Sequence, residues 1–162
     1  MPTYKEALLR KMLLTFALAG VASTAASAES FTFESRNEVV NRLVAPVTGS
    51  KTIVAQFSNG EITATYPNRK VLSKSSCATW PAPPGGMFST NGACMATDAD
   101  GSRFTVVVSC RVVDENRGVS DCFGQLTGVA GVYQDKTGTV SWRWTAAADL
   151  RSNTATGTGM WN

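Results

Sequence analysis

Cys110 and Cys122 stand symmetrically about one polar turn, and that symmetry is the tightest constraint on what this chain can fold into. Between them lies Asp114-Glu115-Asn116-Arg117-Gly118, a polar run ending in glycine. In an antiparallel hairpin, opposed residues have numbers that sum to a constant, so the two cysteines meet across a turn centred on Asn116. Opposed Cα atoms in such a ladder lie about 4.5–5.5 Å apart, a span that a disulfide bridges. Closing a loop of this length is expected to stabilise the fold by about 3 kcal/mol. From Phe104 to Trp144 the chain therefore reads as two stapled strands followed, after a glycine-punctuated turn, by a third.

The same arithmetic pairs Cys77 with Cys94, centred between Gly85 and Gly86 in the rigid Pro-rich run Trp80 to Gly86. Of the three connectivities open to four cysteines, the sequential one is expected: Cys77 with Cys94, Cys110 with Cys122. Zinc needs closer spacings than the 16, 15 and 11 residues that separate these cysteines, and the chain has no histidine. No metal site and no cofactor are expected.

Paired cysteines imply an oxidising compartment, and the N-terminus supplies a route to one. Lys5, Arg10 and Lys11 form a basic start, Met12 to Ala22 is apolar, and Ala26-Ser27-Ala28 has the small residues of a cleavage site. Residues 1–28 are expected to be a secretory signal peptide, and residues 29–162 one periplasmic or extracellular domain. The apolar run is too short to cross a bilayer, and the mature chain carries no transmembrane segment. Without the leader, 12 basic residues face 11 acidic ones, scattered singly, which gives no electrostatic footprint for nucleic acid.

Taken in order, Glu29 to Ser35 reads as a strand. Ser35-Arg36-Asn37-Glu38 then has the form of a helix capping box, followed by Val39, Val40, Leu43 and Val44 at helical spacing. Residues 35–44 are thus either a short helix closing one end or more β-structure. Thr52 to Ser58 alternates Ile53, Ala55 and Phe57 against polar positions, and Asn59-Gly60 is expected to be a tight hairpin turn into Ile62, Ala64 and Tyr66. Further strands are expected over Lys70 to Thr79, Met87 to Thr97, Arg103 to Val113, Asp121 to Gly128, Val129 to Tyr133, Thr137 to Ala147 and Thr154 to Trp161. Asp98 and Asp100 precede Gly101 as in a calcium loop, but the remaining ligands are missing and an Asp-Gly turn is expected. Short strands at regular spacing argue for an all-β fold. The expected form is a small antiparallel up-and-down β-barrel of about eight strands with two hairpin disulfides, since closure removes the sheet edges.

Gly128-Val129-Ala130-Gly131-Val132-Tyr133, followed by Thr137-Gly138-Thr139-Val140-Ser141-Trp142, resembles the glycine-spaced turn-and-strand signature of the allene oxide cyclase-like and dirigent-like barrels, part of a wider calycin-like group. The resemblance covers about residues 104–161, with Ala130 where a second glycine often stands. It implies an eight-stranded barrel with a central cavity. That family's catalytic residues find no counterpart here, so the resemblance carries no activity with it.

Without histidine, no Ser-His-Asp or Cys-His catalysis is available, and the acidic residues show no pairing for glycoside hydrolysis. Val140, Trp142 and Trp144 share one strand face, as do Ile62, Ala64 and Tyr66. If those faces look inward, Tyr66, Trp142 and Trp144 are the candidate contacts for a small apolar or amphipathic ligand; the alternative is that they simply fill the interior. Three functional classes remain: a non-enzymatic binder, a cyclase- or isomerase-like enzyme, and a structural or interaction protein of the cell envelope.

Overall fold

The computed structural model describes residues 28–47 and 50–162; the signal-peptide reading of residues 1–28 falls, Ala28 apart, outside the described residues. Eight strands follow one another: β1 (Glu29–Val47), β2 (Ser50–Thr65), β3 (Lys70–Pro81), β4 (Thr90–Asp98), β5 (Arg103–Asp114), β6 (Val119–Ala130), β7 (Thr137–Ala146) and β8 (Ser152–Trp161). Each pairs antiparallel with the next, and β8 returns to β1, which closes the barrel. Closure pairs both edges of every strand around the barrel wall, while beyond Val39 and before Gln56 β1 and β2 pair only with each other. Both disulfides join directly opposed residues, Cys77 to Cys94 and Cys110 to Cys122, with Cα atoms 4.0 and 4.1 Å apart. Gly118 closes the β5–β6 turn at φ 60°, a conformation that suits glycine.

Four expectations need correction or completion. Asn59-Gly60 is not a turn. β2 runs straight through it, with Asn59 opposite Ser76 and Gly60 opposite Ser75. Gly60 is there for room, because a Cβ on it would stand 2.1 Å from Oδ1 of Asn37. Residues 35–44 form no helix and continue β1; register shifts between Val39 and Asn41 and between Leu43 and Val44 disturb the two-residue period. Such bulges turn successive side chains to one face, which leaves Val40, Leu43 and Val44 outside, with the spacing that imitates a helix.

Phe57 also lies outside, 44% exposed, while its neighbours Gln56 and Ser58 face in. In this run it is thus the polar positions, Gln56 and Ser58, that look into the barrel. Finally, Tyr133 is not in a strand. β6 ends at Ala130, and a 3-10 turn (Gly131–Tyr133) folds back over the barrel end.

The two ends differ. One carries the short turns 66–69, 98–102 and 131–136 and the C-terminus, and its interior is packed with aromatic rings. The other carries the loop 82–89 and the turns 115–118 and 147–151. Exposure along the lumen rises from 2% at Trp161, 3% at Tyr133 and 5% at Tyr66 to 42% at Trp80 on the opposite rim. Among the described residues, the barrel is closed at the first end and open at the second.

Candidate binding site in the barrel lumen

The closed end is built from β1, β5, β8 and the 3-10 turn. Trp161 stacks on Tyr133 at 4.9 Å, and Phe104 meets both edge-on at 5.5 and 5.0 Å. Phe31 packs on Tyr66 at 5.2 Å. Such offset and edge-to-face contacts add to what the buried ring area already contributes. Glycines make the plug possible. A Cβ on Gly159 would stand 2.3 Å from Phe31, and one on Gly128 would stand 1.6 Å from the Tyr133 carbonyl oxygen.

The plug's polar atoms are satisfied. Trp161 Nε1 donates to the Tyr66 hydroxyl at 3.2 Å, and the Tyr133 hydroxyl donates to Asp98 Oδ2 at 2.7 Å. Ser73 Oγ donates to the other oxygen of Asp98 at 2.6 Å. Burial, and then the hydrogen bond to Asp98, push the Tyr133 phenol far above its ordinary range; burial also raises Tyr66. Outside, Arg69 lies 4.1 Å over the Tyr66 ring and pairs with Glu29, whose carboxyl that hydrogen bond holds below its usual value. Asp98 and Asp100 serve separate purposes: Asp100 accepts the Ser102 backbone N–H within the turn, at 2.9 Å.

Between plug and rim lies a cavity of about 350 Å³. Its two walls differ in chemistry. On β8, β1, β2 and β3 the lining carries Asn153, Ser35, Asn37, Gln56, Ser58, Ser73, Ser75 and Thr79, interspersed with Phe33, Ile62, Ala64 and Ala155. Facing it, β5, β6 and β7 present Phe104, Val106, Val108, Leu126, Val140, Trp142, Trp144, Cys110 and Cys122, with Ser120 the one hydroxyl. Both disulfides thus look into the lumen. Asn37 organises the polar wall. Its Nδ2 donates to Asn153 Oδ1 at 2.9 Å, and its Oδ1 accepts from Ser75 Oγ at 3.3 Å, reaching across Gly60 to do so. At the rim, Arg42 Nε donates to Gln56 Oε1 at 3.0 Å, and its guanidinium also donates to the Leu150 carbonyl.

Tyr66, Trp142 and Trp144, the residues singled out from the sequence, all line this cavity, Tyr66 deep in the plug and the two tryptophans half-buried along β7. Arg143 lies on the outer face in an ion pair with Asp121 at 2.9 Å. Asn37, Asn153, Ser58 and Tyr133 were not legible as lumen residues. A period-two reading of β8 from Trp161 backwards places Asn153 inward, and that was the available signal. Among the described residues, no group of three or more His, Cys, Asp or Glu could hold a metal, and no helix is long and apolar enough to cross a membrane. Comparisons with protein-family models, curated proteins and solved structures return no match, so the functional reading rests on the lumen's own chemistry.

Proposed function

We propose that this is an exported barrel that binds a small amphipathic molecule in its lumen without transforming it. One observation carries the reading: a cavity of about 350 Å³ remains beside a plugged end, lined on one side by hydroxyls and carboxamides. That volume lies at the lower end of the range for small-molecule sites, which are mostly apolar with a few placed polar groups. A barrel serving only as a scaffold gains nothing from lining its interior with serine and asparagine, because each such group must be hydrogen-bonded or hydrated. The two disulfides accord with an oxidising compartment.

The test is a titration with N-phenyl-1-naphthylamine, following tryptophan emission, on the wild type and on Ala155→Phe. Ala155 faces the lumen between Trp144 and Ser35, so a phenyl ring there fills the space. One saturable site, lost in the variant while far-ultraviolet dichroism is unchanged, is the expected result. Equal binding by both proteins places the probe elsewhere and ends the proposal.

A cyclase- or isomerase-like activity of the allene oxide cyclase-like type has one observation in its favour, the Tyr133–Asp98 pair at the cavity's closed end. Recovery of the bound molecule as an isomer, abolished in Tyr133→Phe, is the outcome that selects this second reading.

A further inference from the structure

The chemistry of the lining narrows the guest. We infer that the lumen takes an uncharged molecule with a flat apolar body and a single hydrogen-bonding edge, an inference that rests on the lumen-binding reading above. The first ground is charge. Among the described residues, no Asp, Glu, Lys or Arg side chain lines the cavity. The nearest carboxylate inside the barrel, Asp98, has both oxygens occupied by Ser73 and Tyr133. An ion seated below the rim, where Arg42 is held by Gln56 and the Leu150 carbonyl, meets no counter-charge among the described residues, and its desolvation goes uncompensated.

The second ground is the unequal walls. β5 to β7 offer a broad apolar surface against which a ring can lie, with Phe104, Trp142 and Trp144 as its aromatic part. The opposite wall offers hydrogen-bonding groups, and not all of them are spent. Asn153 accepts from Asn37, but its own Nδ2 donates to no described residue. Nor do the hydroxyls of Ser58 and Ser120 bond to any described residue. Yet among the described residues no buried side-chain nitrogen or oxygen is left without a partner. These atoms therefore keep contact with solvent, and since all three residues are under 9% exposed and line the cavity, that solvent is the lumen's. Asn153 on β8 and Ser58 on β2 are thus held ready on the polar wall, and Ser120 adds one hydroxyl from β6 across from them. A hydroxyl or carbonyl on the edge of a flat guest satisfies them while its faces stay apolar, which no fully hydrocarbon guest does.

The experiment compares naphthalene, 2-naphthol and 2-naphthoate by calorimetry on the whole protein. Partition from water alone ranks naphthalene first. Recognition of the edge reverses this, with 2-naphthol bound about fivefold more tightly than naphthalene, and the charged 2-naphthoate about tenfold more weakly than 2-naphthol. Asn153→Leu should erase the advantage of 2-naphthol over naphthalene. Because that change also removes Asn37's acceptor and endangers the fold, Ser58→Ala, whose hydroxyl bonds to no described residue, carries the same test with a smaller expected loss. Naphthalene binding as well as 2-naphthol, or both variants keeping the full advantage, overturns the hydrogen-bonding edge; 2-naphthoate binding as well as 2-naphthol overturns the neutrality. In each of these cases lumen binding itself stands. Failure of all three compounds, with N-phenyl-1-naphthylamine also unbound, removes lumen binding and this inference with it.

Discussion

Gly60 lies directly beneath the carboxamide of Asn37: a Cβ built on the glycine would stand 2.1 Å from Oδ1 and 2.4 Å from the Arg36 carbonyl oxygen. The backbone contact leaves little room for relief, and the side-chain contact is the one that lets Asn37 reach Ser75. Gly60→Ala is therefore expected to lose about 1–3 kcal/mol, the usual range for overpacking a tight site. Urea unfolding monitored by tryptophan emission measures it. Asn37→Ala combined with Gly60→Ala should recover part of the loss, since the clash goes with the carboxamide. A glycine serving only as a flexible link shows no such recovery.

From Glu29 onward the chain contains two tyrosines, Tyr66 and Tyr133, both buried and both with phenols pushed above the ordinary value of 10.0. The unfolded chain ionises near that value while the folded barrel keeps its protons, so unfolding releases protons in that range. Stability is thus full below pH 10.0 and falls as pH rises beyond it, by about 1.4 kcal/mol per pH unit for each proton fully released. Just above pH 10 the native protein should show less tyrosinate absorbance than the unfolded chain, with Tyr133 keeping its proton until the barrel unfolds. Gradual ionisation of both tyrosines in the folded state shows that the plug admits water.

Each disulfide closes a short loop, with sequence separations of 17 and 12, so removing either is expected to cost about 3 kcal/mol. Alanine is the replacement of choice for Cys110 and Cys122, because Cys122 is 1% exposed and serine would leave a hydroxyl against an apolar wall. The two pairs sit on separate hairpins, so the losses should add within about 0.5 kcal/mol. Midpoints of urea unfolding for the two double variants and the quadruple variant check this; a quadruple variant no weaker than either double one shows that the bridges constrain the same part of the unfolded chain.

The parts of this fold that could be read from the sequence are those where one local rule acts alone. The cysteine pairing followed from fixed antiparallel register, and the shared faces of Ile62, Ala64 and Tyr66 and of Val140, Trp142 and Trp144 from the two-residue period; that these faces look inward is what the closed barrel adds. Where two causes compete for one residue type, the sequence misleads. Asn-Gly signals a turn because glycine tolerates positive φ, but at Gly60 the missing side chain is needed for space, and its φ is ordinary. Val40, Leu43 and Val44 look helical because bulges interrupt the alternation. The polar wall was the least legible part. Serine and asparagine read as outward positions, and only the Asn37–Asn153 and Asn37–Ser75 bonds across strands reveal why they face in.

All four tryptophans line the lumen, and their exposures grade from one end to the other. Trp161 is 2% exposed in the plug, Trp142 and Trp144 are half-buried along β7, and Trp80 is 42% exposed at the rim. A guest entering past Trp80 covers Trp142 and Trp144 first, whereas Trp161 is already shielded. Acrylamide quenching of the unliganded protein should therefore fall on Trp80, Trp142 and Trp144, and a bound guest should protect the two β7 residues. The double variant Trp142→Phe, Trp144→Phe keeps an aromatic wall but should lose most of that protection signal. Protection of the same size in the double variant means the guest lies elsewhere. The outer surface offers such a place, where Phe57 on β2 and Val107 on β5 are 44% and 65% exposed; Val107→Lys, a change no lumen guest would feel, then abolishes binding and separates the two locations.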